Sequence, residues 1–173
     1  PTSVWLVSGM SPFTFIKSIL QPLFTALLTS SSATTLPVSM IAAEKELGVE
    51  RAKASFILPL GATANMDGTA LFEGIAAIYL AYMFGIDLGS TEIITVFLIS
   101  MLSSIGAPGM PSGSMAGMQL VLLAVGIPLE AIALLLLIER PLDTFRTAVN
   151  VEGDLAGCLV VEHFITGKEK AAA

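Results

Sequence analysis

Long apolar runs separated by short polar or glycine- and proline-rich breaks set the pattern of this chain, and the lengths of the runs predict its elements. Ala54 to Phe84 is long enough to cross a bilayer. Ile93 to Ile105 would reach only about 20 Å as a helix, and Ala116 to Gly126 is shorter still. Neither bridges roughly 30 Å of hydrocarbon. Between them stands Gly106-Ala-Pro-Gly-Met-Pro-Ser-Gly-Ser114, which no helix tolerates. The pair reads as a re-entrant hairpin: two half-length helices that enter from one face, turn in mid-membrane and leave by the same face. Pro128 to Thr166 then crosses back. The start of the chain repeats this pattern, with Pro12 to Leu28 as a half-span, the hydroxyl-rich run Thr29 to Pro37, and a short return. The predicted fold is an all-α membrane protein with two re-entrant helical hairpins and two transmembrane helices in an inverted repeat. One of those helices is unwound at Asn65-Met66-Asp67.

Composition and charge give the pattern a solvent and a direction. The chain is 54% hydrophobic and 13% charged, where soluble domains carry about 25% charged residues. Mean hydropathy is +0.85, so lipid is an expected partner. A net charge of −6 argues against a nucleic-acid partner, which needs a basic footprint. The single cysteine, Cys158, excludes an internal disulfide. No basic residue lies between Ala54 and Ile138. Because basic residues mark the cytoplasmic side, the stretch 44–53 and the tail 167–173 are placed inside and the acidic turn 85–92 outside. Residues 1–11 then end a preceding helix, 12–43 form the hairpin on the cytoplasmic side, 54–84 the broken span, 93–127 the extracellular-side hairpin and 128–166 the last span. Pro1 in place of Met, with no signal sequence after it, predicts a start in mid-protein.

Two constellations carry candidate chemistry. On an ideal helix Asp143, Arg146, Thr147, Asn150 and Asp154 fall in one stripe about 100° wide, and a polar stripe inside a span faces protein or water. One reading is an Asp143–Arg146 ion pair that merely lets both be buried. The other adds Asn150 and Asp154 as oxygen ligands for a hard cation. In the middle of the broken span, Asn65 and Asp67 lie about 200° apart on a regular helix, so unwinding permitted by Gly61 and Gly68 is expected to aim both inward. Such an unwound segment suits a sodium site, and a polar kink packed on a neighbour is the alternative. Glu73 has no basic partner on its own span. It is either a proton carrier or a side chain facing a water-filled crevice. The serines Ser30 to Ser32 offer hydroxyls and free N–H groups to an anion, or form a flexible linker. His163 reads as an interfacial residue.

With these residues in view, the sequence resembles the glutamate transporter family, the dicarboxylate/amino acid:cation symporters, from about Pro12 to His163. The likeness rests on the serine-rich first tip ending in Thr35-Leu36-Pro37, on Asn65-Met-Asp-Gly-Thr69, on Ser104-Ile-Gly106, and on Asp143-x-x-Arg-Thr-x-x-Asn-Val-x-Gly-Asp154. A member of this family is among the known inverted-repeat transporters. The resemblance implies a homotrimeric, multi-pass secondary transporter of a plasma membrane, here a bacterial or archaeal inner membrane, working by an elevator motion with no cofactor and with sodium as coupling ion. It implies that Arg146 clamps the side-chain carboxylate of an acidic amino acid, aspartate or glutamate, while Asp143 takes the α-amino group. Ser31, Ser32, Thr69, Gly109, Thr147 and Asn150 would hold the remainder. It further implies one sodium site from Gly61, Asn65, Asn150 and Asp154, a second from Thr63 with the carbonyls of Ser104, Ile105 and Ala107, and a third using Asn65 and Asp67. Glu73 matches the position where proton-coupled members carry glutamate.

Three departures from the family pattern stand out. Pro141 is expected to kink the last span. Pro108 and Ser114 replace the small residues usual in the second tip. The chain starts near the end of the family's sixth helix, so by itself it is expected to lack the trimer scaffold and to transport nothing. An intramembrane aspartyl protease using Asp67 and Asp154 is the competing class; it needs two carboxylates close enough to share a proton.

Overall fold

Proline, serine and glycine punctuate the helices of this chain. The computed structural model describes residues 1–107, 109, 110 and 112–172, the last six as backbone alone. Helix α1, Thr2–Ser8, stops at Gly9, whose φ of 72° few other residues adopt. Ser11 opens α2, Pro12–Ser18, by accepting the Thr14 N–H, with Pro12 in the first turn where its missing N–H costs nothing. The expected half-span from Pro12 is jogged at Ile19, because Pro22 has no N–H to return to Ser18; α3, Leu20–Thr29, resumes beyond the jog. The turn after α3 is narrower than the run Thr29 to Pro37 suggests. Only Ser30, with φ 50°, and Ser31 are non-helical, since Ser31 caps the Thr34 N–H and starts α4, Ser32–Lys45, which runs through Pro37.

Helices α5, Arg51–Ala64, and α6, Asp67–Met83, are separated by Asn65 (φ −100°, ψ 82°) and Met66 (φ −111°, ψ 53°). Asp67, expected in the break, is instead the first residue of α6. Gly61 and Gly68 do not unwind; both are helical, and their use is close packing on a later helix. Gly85, at φ 66°, turns the chain toward α7, Ser90–Ile105, which pairs with α8, Ser114–Ala124. Of the two departures in the tip between them, Pro108 lies outside the described residues, and Ser114 begins α8. After Gly126 and a 3-10 turn at Leu129–Ala131, α9 runs unbroken from Ile132 to Ala172. The helix continues through Pro141 and through the stretch expected as a tail.

Two apolar clusters are strung along α9. Val4, Phe15, Ile19, Leu58 and others pack on Leu155 and Leu159, whereas Leu80, Val96, Met118 and Leu122 pack with Leu135 at its start. Between the clusters α9 presents its buried polar residues. Many large apolar side chains face outward instead, with Phe13, Leu28, Tyr82 and Leu137 more than four-fifths exposed. Among the described residues no helix is both long and apolar enough to cross a membrane. The apolar helices α6 and α7 have 17 and 16 residues, and the 41-residue α9 carries its length with too many charges.

Candidate functional site

The break between α5 and α6 leaves Gly68 with a free N–H in the first turn of α6, and Asn150 Oδ1, from α9, accepts it at 2.8 Å. The Asn150 amide nitrogen reaches Met66 Sδ at 3.2 Å and Thr69 Oγ1 at 3.3 Å. A side chain on Gly68 would meet the Arg146 carbonyl oxygen at 2.5 Å, so glycine is what lets the two backbones touch. A turn further along α9, Asn65 Nδ2 donates to Asp154 Oδ1 at 3.0 Å, and Gly61 presses against the same oxygen. Asn65 and Asp67 both border Gly153. Asn65 and Asp154 thus meet beside Gly153, with Asn150 turned toward Gly68, whereas Asp67, expected to aim inward, is exposed at the edge of this group. A protease would need Asp67 and Asp154 to share a proton; here Asp154 Oδ1 is engaged by Asn65.

The second group surrounds Arg146. Its Nη2 bonds Asp143 Oδ1 and, at 3.2 Å, Glu139 Oε1, and its guanidinium stacks 4.6 Å from the centre of the Phe72 ring. All three charged residues are at most 6% exposed, and Arg146 Nη1 is buried without a partner among the described residues. The outer oxygens of the carboxylates go to the second helix pair: Ser112 N–H donates to Asp143 Oδ2 and Ser112 Oγ to Glu139 Oε2, both at 3.0 Å. The two tips also meet. Gly109 O accepts from Ser31 Oγ at 2.9 Å and from the Ala33 N–H at 3.2 Å. Ser30, Ser32, Met66, Thr69, Gly109, Asp143, Arg146, Thr147 and Asn150 border one small cavity with room for about one water.

Other candidates are placed differently. Thr63 is exposed on α5 and its hydroxyl returns to Leu60 O at 3.0 Å. Ser104 bonds back to Met101 O and its carbonyl accepts the Ala107 N–H, so among the described residues no hydrogen bond joins Thr63 to Ser104, Ile105 or Ala107. Glu73 is fully buried; Ser103 donates to its Oε2, and Oε1 lies against Gly117 with no partner among the described residues. Glu139, Ser112, Met66 and Phe72 escaped the sequence reading. For Glu139 the signal was available, since it continues the stripe of α9 one turn before Asp143.

Residues 1–164 match the sodium:dicarboxylate symporter family. The chain belongs to that family. Among relatives of this symporter chain, excitatory amino acid transporter 2 of Homo sapiens is 46% identical over 163 residues, 94% of this chain and 28% of that protein. Excitatory amino acid transporter 4 of Rattus norvegicus is 44% identical, over 94% of this chain and 29% of that protein. An excitatory amino acid transporter of Caenorhabditis elegans is 42% identical over 164 residues, 95% of this chain and 33% of that protein. The chain therefore spans about three tenths of the length of the curated relatives it matches. As a family of symporters these are transporters rather than enzymes, which removes the protease reading.

Proposed function

We propose that this chain is the substrate- and ion-binding part of a sodium-driven transporter of acidic amino acids. One observation carries the reading: both helix-pair tips, the α5/α6 break and the polar stripe of α9 converge on the cavity beside Arg146, with the Asn65–Asp154 oxygen cluster next to it. The matched relatives are excitatory amino acid transporters, and the family is one of sodium:dicarboxylate symporters.

In this reading Arg146 leaves Glu139 to fork the side-chain carboxylate of aspartate or glutamate, a bidentate task that suits a guanidinium. Asp143 takes the α-amino group, and Ser31, Ser32, Thr69, Gly109, Thr147 and Asn150 surround the rest. Sodium ions bind as co-transported cargo. Asn65, Asp154, Gly61 and Asn150 form one oxygen-rich site, Asp67 with Asn65 another, and Thr63 joins the Ser104, Ile105 and Ala107 carbonyls after a rearrangement of α5 against α7. Because the cavity holds about one water, a substrate enters only when a tip moves. The α3/α4 and α7/α8 pairs act as re-entrant hairpins of an inverted repeat, the first from the cytoplasmic side and the second from outside. The transporting unit is the full-length protein, a plasma-membrane homotrimer moving by an elevator motion. The relatives named above are animal proteins and lend no support to a bacterial or archaeal membrane. Glu73 carries a co-transported proton; Glu73→Gln then leaves exchange intact and removes the pH dependence of net uptake.

The deciding experiment is binding of aspartate and glutamate to the full-length protein with and without sodium. Sodium-dependent binding of either is expected, and sodium-independent binding of both contradicts the coupling.

A further inference from the structure

We propose that Ser112 is an internal latch that holds the tip between α7 and α8 shut over the empty cavity by occupying the positions of a ligand's ammonium hydrogens. Each of the two buried carboxylates spends one oxygen on Arg146 and the other on Ser112. Glu139 gives Oε1 to Arg146 and Oε2 to Ser112 Oγ; Asp143 gives Oδ1 to Arg146 and Oδ2 to the Ser112 N–H. Arg140 approaches Asp143 Oδ2 only from the exposed side, at 4.0 Å. Ser112 holds this position at φ 62°, the left-handed region that a residue with a side chain enters at a cost unless its surroundings hold it there. The surroundings here are two charge-assisted hydrogen bonds to carboxylates that are 2 and 3% exposed. The tip is therefore a strained element, retained by the groups a ligand would claim. A primary ammonium carries three N–H donors and can replace both donors of Ser112. Its arrival at Asp143 releases the latch, and closure over the bound ligand then depends on the ligand rather than on Ser112.

This inference rests on reading the cavity as an amino-acid site, and the test separates the two. Amide hydrogen exchange is followed over residues 106–114 in the full-length protein in lipid nanodiscs with sodium, with and without aspartate. Ser112→Ala, which deletes the bond to Glu139 and keeps the left-handed strain, is expected to speed exchange of the empty tip about tenfold. With saturating aspartate it should match the wild type. Ser112→Gly, which fits the left-handed backbone freely, is expected to show a smaller increase when empty, and it serves if the alanine variant does not fold. Wild-type exchange in both empty variants overturns the latch. Where aspartate does change exchange of the wild-type tip, an equal acceleration of the variants with and without aspartate also overturns it, because Ser112 would then only shape the tip. If aspartate alters no protein's exchange while the empty-state differences hold, the latch stands and the substrate reading fails.

Discussion

Asn65 and Asp154 are joined at 3.0 Å across the break between α5 and α6, so the irregular segment is pinned to the middle of the longest helix. A broken helix needs outside partners for its loose backbone groups. Here α9 supplies one, Asn150 Oδ1 to the Gly68 N–H, while Asp154 holds the side chain of Asn65.

Asp154→Asn keeps the shape and an acceptor for Asn65 while deleting the charge. The sodium concentration needed for half-maximal aspartate binding should rise about tenfold or more, as expected when a hard-cation site loses its anionic ligand. A sodium titration checks this, and an unchanged midpoint removes Asp154 from the ion site.

Arg146→Ala should abolish binding of acidic amino acids, and Asp143→Ala should weaken any ligand with an α-amino group. Removing the arginine also leaves Glu139 and Asp143 buried without their cation, at a cost of about 3–5 kcal/mol. Arg146→Lys keeps the charge without the fork, so calorimetric titration of that variant isolates recognition from folding. Wild-type aspartate and glutamate affinity in Arg146→Ala would defeat the assignment.

Gly68→Ala would place a methyl carbon 2.5 Å from the Arg146 carbonyl oxygen, where only backbone movement can relieve it. Thermal unfolding should show a loss of about 1–3 kcal/mol, the usual cost of overpacking. Gly157→Ala on α9 meets nothing within 4 Å and is the control.

At the start of α5, Lys53 donates to Glu162 of α9 at 3.0 Å and lies 3.2 Å from Glu50. The hydrogen bond to Glu162 raises the Lys53 pKa above its usual 10.5. This contact therefore stabilises the fold fully from above the usual carboxylate range, where Glu162 is ionised, up to about pH 10.5, and loses that effect as pH rises through the higher folded Lys53 value. Lys53→Met should melt earlier than the wild type at neutral pH and converge with it in strong alkali; a pH series of melting temperatures decides.

The stripe on α9 and the break at Asn65 and Met66 were legible because both follow from helical periodicity, which is local. Glu139 sat on that stripe and was passed over, with Pro141 standing between it and Asp143. Glycine was harder to read. Gly61 and Gly68 suggested flexibility, yet each is a place where another element comes within touching distance, and only tertiary structure distinguishes the two uses. Ser112 shows the converse: a left-handed residue that is not glycine, held by partners 27 and 31 positions away in the chain.

The unbroken course of α9 makes it a ruler. Asp143 and Asp154 are held about 16 Å apart along one rod by the fixed rise of the helix. If the site works as proposed, its amino-acid end and its sodium end cannot drift relative to each other along this rod, and communication between them runs through the neighbours that lean on it: the Ser112 tip at one end and the Asn65 break at the other.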